Sequence, residues 1–311
     1  MAAKLSCAPS VQAGSDRPPA CTCRIFSQRG RNIQKGGQNW DYLEVSENYT
    51  KLKSGVQQGQ EIPGGKRGKI TGFTKAARSR MIQRMASLKQ YPSFWQDFTF
   101  PDDVMTGRTA AERAEFSSYC MKKFKRAIGK RFKIRGIWRR EWEKRKSGIL
   151  KGESVPHFHA LLDGDRITEQ NYRSICVQLA SLWVSITGTK NEAALKVALH
   201  PKSYRWLINK KMAQRYVSKY MAKTESHEDG VSRGRYWGYI GKPEFAETET
   251  IQLTNRESLM LRRLFRRMAN SAHLQRLFKC RHAGGWLLIN RQTVQRMLDY
   301  ILDEMIPIPA T

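Results

Sequence analysis

Residues 134–143, IRGIWRREWE, and 155–162, VPHFHALL, decide the fold of this chain. Both are short runs rich in Ile, Val, Trp and Phe, and both read as strands. The charged, glycine-containing connection 144–154 lets them pair as a hairpin with a long loop. Residues two apart on a strand project from one face, so His157 and His159 point together while Phe158 packs behind them. On the partner strand Glu141 and Glu143 also share a face. A carboxylate directed across the hairpin at two imidazoles completes a three-ligand metal site with open positions for a phosphate oxygen and water. Spacing does not choose between Glu141 and Glu143, and either could instead pair with Arg139, Arg140 or Lys144.

Outward from this hairpin, the pattern alternates helices with strands. Met81, Ile82, Met85 and Leu88 recur at helical spacing within Thr74 to Leu88, and an extended stretch follows from Trp95 to Pro101. Thr109 and Glu112 form a capping box for a helix whose apolar stripe is Phe116, Tyr119, Phe124 and Ala127. Thr168 caps another helix, in which Tyr172, Ile175, Cys176, Leu179, Leu182, Trp183 and Ile186 keep a 3.6-residue period. A brief strand at Leu195 to Leu199, a basic helix at about Lys210 to Lys223 and an aromatic extended stretch at Gly230 to Gly241 complete an α+β domain over 74–246. Residues 1–73, rich in Gly, Gln, Ser, Pro and basic side chains, read as a largely flexible arm. Residues 247–311 read as a small basic helical unit in which Leu259, Leu261, Leu264, Phe265 and Met268 form the packing side of an arginine-rich helix.

Composition bounds the partners. With 56 Lys+Arg against 27 Asp+Glu, the net charge of +29 attracts polyanions by releasing their counterions, so nucleic acid is expected. No apolar run reaches 18 residues, and the N-terminus lacks the apolar core of a signal peptide, so a cytosolic protein without a membrane span is expected. Six scattered cysteines (Cys7, Cys21, Cys23, Cys120, Cys176 and Cys280) fit neither a disulfide framework nor zinc-ligand pairs and read as free thiols. There is no internal repeat and no phosphate-binding glycine loop with its lysine.

The second constellation is YVSKYMAK, residues 216–223. Positions four apart on a helix are neighbours, so Tyr216 and Tyr220 present two phenols side by side, and Lys219 and Lys223 form a basic row beside them. A phenol is a poor nucleophile alone and needs a metal-polarised phosphate and local positive charge, which the lysines supply. Around it, Tyr204 and Trp206 interleave with Lys210, Lys211 and Arg215, with Arg235 further on. Bases stack on such rings while phosphates pair with the cations, as a single-strand groove requires.

Three ordered blocks then carry a resemblance: Phe98-Thr99-Phe100-Pro101 ending an extended stretch, Pro156 to Leu162 around the histidines, and Tyr216 to Lys223. Over about 74–242 the chain resembles the HUH rolling-circle replication initiators of small single-stranded DNA phages and plasmids, in their two-tyrosine branch. The resemblance implies a central antiparallel sheet with the histidine strand in its middle and flanking helices. It implies His157, His159 and Glu141 as ligands of Mg2+ or Mn2+, and Tyr216 and Tyr220 as nucleophiles that form a 5′-phosphotyrosyl link on single-stranded DNA at a replication origin. It further implies a host helicase and polymerase as partners in a bacterial cytoplasm. Two imidazoles and a carboxylate are softer than an all-oxygen set, so Mn2+ is expected to bind more tightly than Mg2+. Two-tyrosine transposases would use the same residues, and a basic sheet protein that only binds RNA or single-stranded DNA would use the same rings and cations.

Overall fold

The computed structural model describes residues 41–53, 68–209, 212, 213, 216, 217, 221, 223–227, 229–271, 286, 287, 289 and 291–303. Its larger unit is built on β3 (Phe94–Phe98), β4 (Arg135–Lys144), β5 (Ser154–Asp163), β6 (Tyr204–Trp206) and β7 (Trp237–Ile240), while β1 (Asp41–Val45) and β2 (Thr50–Lys53) belong to a second sheet. These five strands form one antiparallel sheet in the order β6-β3-β5-β4-β7, so the histidine strand is central. The expected hairpin is its spine, with Glu141 opposite His157 and Arg139 opposite His159. At the hairpin loop Gly148 has φ +83°, a conformation that side-chain-bearing residues rarely adopt, so the turn favours glycine there.

Alternation along the strands separates two cores. Phe94, Phe98, Trp138, Phe158, Ala160 and Leu162 face α2 (Ala110–Arg131) and α3 (Tyr172–Thr187). The capping box at Thr109 and Glu112 is formed, with Thr109 N donating to Glu112 Oε2 at 2.7 Å and Glu112 N to Thr109 Oγ1 at 3.3 Å. Such a cap stabilises a helix start by about 1 kcal/mol. The inward stripe of α2 is Cys120, Met121, Phe124 and Ile128; Tyr119, expected inside, is 49% exposed beneath Lys123. Trp183 of α3 is fully buried, edge-on to Phe124 at 5.4 Å, and donates from Nε1 to Thr99 O at 2.7 Å.

On the other sheet face, Trp95, Ile137 and Leu161 share a second cluster with Met81, Ile82 and Met85 of α1 (Lys75–Ala86) and with Ala213, Tyr216, Val217 and Met221. Both faces of the sheet are therefore covered, which is why β5 is buried along almost its whole length.

Two local expectations need correction. α3 starts four residues beyond Thr168, whose N–H and carbonyl are spent in a turn with Asn171 and Tyr172; Asn171 is the N-cap residue. Residues expected as a strand at Leu195 to Leu199 form α4 (Ala194–Ala198), because a short apolar run has no period to tell strand from helix and Ala favours the helix.

The ends of the chain build a separate α+β unit. β1 (Asp41–Val45) and β2 (Thr50–Lys53) lie between β8 (Glu249–Leu253) and β9 (Trp286–Leu287) in a four-stranded antiparallel sheet, order β8-β1-β2-β9. Leu43, Val45 and Leu52 share its core with Leu261 and Phe265 of α5 (Asn255–Ser271) and with Val294, Leu298 and Ile301 of α6 (Arg291–Asp303). This corrects two expectations: residues 41–53 include two strands rather than being arm alone, and residues 247–311 contribute the strands β8 and β9 as well as helices. Leu259, expected on the packing side of α5, is 50% exposed. The larger unit is thus inserted between the second and third strands, by sequence, of the smaller one. No helix among the described residues is long and apolar enough to cross a membrane. Cys120 and Cys176 are free and buried; the other four cysteines lie outside the described residues.

Candidate metal centre

Asp97, His159 and Arg139 stand directly opposite one another on β3, β5 and β4, and His157 and Glu141 face each other two residues further along the hairpin. Antiparallel partners share a face, so all five side chains rise from the same side of the sheet. There Glu141, His157 and His159 bring one ligand atom each within 4.8 Å of one another. His157 Nε2 and His159 Nε2 are 3.0 Å apart, and Glu141 Oε2 lies 2.9 Å from His159 Nε2 and 3.5 Å from His157 Nε2. Ligands at right angles around an octahedral ion with ~2.1 Å bonds are about 3 Å apart, so the donor set fits such an ion. Glu143 is exposed at the end of β4, which leaves Glu141 as the carboxylate of the cluster.

The two ring nitrogens of His159 have different tasks. Nδ1 is 2.7 Å from Asp97 Oδ1. A carboxylate can only accept, so Nδ1 carries a proton and Nε2 is directed at Glu141 and His157. Burial works against a charge on His159, but Asp97 and Glu141 outweigh it and push the imidazole up to about 9. Burial likewise opposes ionisation of Glu141, yet hydrogen bonds and charge from His157 and His159 hold its carboxyl far below the usual carboxylate range.

Tyr216 is 8% exposed and its hydroxyl donates to Asp97 Oδ1 at 2.9 Å, 3.0 Å from His159 Nδ1. Its ring stacks on Trp95 at 4.7 Å between centroids. One imidazole ring thus separates the phenol from the donor cluster. Lys223 Nζ lies 3.4 Å from Glu141 Oε1. Tyr220, Lys219, Lys210, Lys211 and Arg215 lie outside the described residues. Arg235 is exposed in a cleft beside β7. Trp206 pairs with Phe94 and packs 5.5 Å from Tyr172, so it is on the face covered by α2 and α3, away from the metal-ligand cluster.

Asp97 was missed by sequence reasoning. Its signal was present: a carboxylate in the run FWQDF, alternating with Phe98 at the start of the first motif block. Its neighbour Gln96 turns to the other face and donates to Cys176 O at 2.9 Å.

The arginines expected as alternative partners of Glu141 are otherwise engaged. Arg140 turns to α2, donating to Ala114 O at 3.2 Å and to Ser117 and Ser118 Oγ at 3.0 Å each. Arg139, fully buried, pairs with Glu225, donates to Lys223 O at 3.2 Å and lies 4.0 Å over the Phe73 ring. Glu225 also accepts from Trp142 N at 3.2 Å, and its backbone is bridged to Phe73 in both directions. Arg139 and Glu225 together pin the end of the tyrosine-bearing segment beside Glu141. Compared with family models, curated proteins and solved structures, the chain matches none.

Proposed function

We propose that this protein nicks and joins single-stranded DNA through a tyrosine nucleophile and initiates rolling-circle replication. The observation that carries the reading is the convergence, on one sheet face of a chain with net charge +29, of a two-histidine, one-carboxylate cluster and a buried phenol one imidazole ring away. A divalent ion, Mn2+ or Mg2+, held by His157, His159 and Glu141 would polarise the scissile phosphate.

The protein's own groups supply the rest. Tyr216 gives its proton to Asp97 as its oxygen bonds to phosphorus, and the bond from phosphorus to the 3′ oxygen breaks. Lys223, positioned against Glu141, donates a proton to the departing 3′ oxygen. The products are a 5′-phosphotyrosyl link and a free 3′ hydroxyl that a host polymerase, working with a helicase, extends. Joining is the same transfer reversed, and Tyr220 serves the second cut while the first strand is held.

The test is a labelled single-stranded DNA library incubated with Mn2+ and resolved on a denaturing gel. An adduct in the wild type that is lost in the Tyr216→Phe/Tyr220→Phe double variant supports the proposal. DNA binding with no adduct would leave a non-catalytic single-strand binder.

A further inference from the structure

A second feature lies on the same sheet face. Between residues 69–74, the start of α1 and strand β7 is a cleft of about 420 Å³, lined by Lys69, Arg80, Arg235, Tyr236, Trp237 and Tyr239 together with small and backbone groups. Among the described residues, none that lines it is acidic. Trp237 and Tyr239 stand edge to face at 5.7 Å, and both are half-buried. Trp237 is opposite Arg139, which is opposite His159. At ~4.8 Å per strand the cleft begins about 10 Å across the sheet from the histidine row. Arg139, which Phe73 and Glu225 contact, stands between the two.

We propose that this cleft is a nucleotide subsite, taking one unstacked base and its phosphate from a single DNA strand that also crosses the metal centre. Three cations without an acid select an anion, and the rings select a flat, π-faced group next to it; a nucleotide is both. The volume lies at the low end of small-ligand sites, enough for one nucleotide and too small for a duplex. β7 is also a sheet edge: among the described residues its outer side has no strand partner, so its backbone groups can meet the polar edge of a base and read it. The assignment of the ligand as DNA rests on the nicking reading above; the ring-and-cation chemistry does not.

Photo-crosslinking in EDTA separates the two, because it needs no cleavage. Single-stranded 12-mers carrying one 5-iododeoxyuridine at successive positions are irradiated with the full-length protein, and the linked residue is mapped by mass spectrometry. Crosslinking to Trp237 or Tyr239 from one or two adjacent positions is expected. Arg80→Ala/Arg235→Ala should lower the slope of log affinity against log salt by about 0.7, the share of the one phosphate held in the cleft. Trp237→Ser should weaken binding about five- to a hundredfold, with Trp237→Phe close to wild type. Crosslinks confined to other residues, or an unchanged salt slope in the double variant, would overturn the subsite. Equal crosslinking of free 5-iododeoxyuridine monophosphate would overturn it in favour of a free-nucleotide site. Crosslinks at Trp237 without any phosphotyrosyl adduct under Mn2+ would uphold the subsite and remove the nicking reading.

Discussion

Arg139→Met removes a cation that has no exposed surface and leaves its partner Glu225, whose side chain is 12% exposed, without a counter-charge. Burial already raises the Glu225 pKa above the ordinary carboxylate value even with Arg139 opposing it. The variant also loses the bond to Lys223 O and the stacking on Phe73. Breaking a buried ion pair from one side costs about 3–5 kcal/mol. For a unit of this size ~2–4 °C of Tm goes with each kcal/mol, so a drop of about 6–20 °C is expected. Equilibrium urea unfolding and thermal melts measure it.

The pH dependence has a defined sign. A carboxylate whose folded pKa is raised contributes most below its unfolded value and loses that contribution as pH rises through the folded value. The deficit of Arg139→Met should therefore be smallest in acid and widen as pH rises. Adding Glu225→Gln, which keeps an acceptor for Trp142 N, should recover at least half of the loss, since neutralising both members of a buried pair is often nearly neutral. A deficit below about 1 kcal/mol, or a double variant no more stable than the single, would refute the view that this pair pins the tyrosine segment.

Mn2+ at a hundred times its Kd should stabilise the wild type by about 2.7 kcal/mol in thermal melts, and His157→Ala/His159→Ala should abolish the shift; an undiminished shift would place the metal elsewhere. Without metal, the charged His159 contributes stability fully present below about 6.5 and lost as pH rises towards about 9, so melts of His159→Gln should approach those of the wild type at high pH. Because binding displaces the His159 Nε2 proton, Mn2+ affinity measured by calorimetry should rise about tenfold per pH unit below that value. Asp97→Asn keeps the size but loses the charge, and adduct yield should fall about 10²-fold or more while single-strand affinity stays within a few-fold. A fragment of residues 68–246 should unfold cooperatively on its own, whereas 1–246 keeps β1 and β2 without β8 and β9 and should aggregate; sedimentation and urea melts compare them.

Much of the larger unit was legible in the chain because its signals are local. Two-residue alternation in IRGIWRREWE and VPHFHALL located the spine of the sheet and put both imidazoles on one face, and the Thr109 and Glu112 pair marked the start of α2. Spacing could not separate Glu141 from Glu143, since both obey the same period; burial beside His157 and His159 separates them. Asp97 was invisible for a related reason. It is 62 residues from His159 and 119 from Tyr216, and only the pairing of β3 with β5 makes them neighbours. Trp206 illustrates the converse: its place among basic and aromatic residues suggested a stacking platform, but the register of β6 turns it to the face packed on α2 and α3. The strands at 41–53 and 249–253 lie almost 200 residues apart, and each is too short to stand alone. Periodicity records which face of an element is apolar; which distant element covers that face is decided by where the whole chain can bury it at least cost, and that is a property of the tertiary structure.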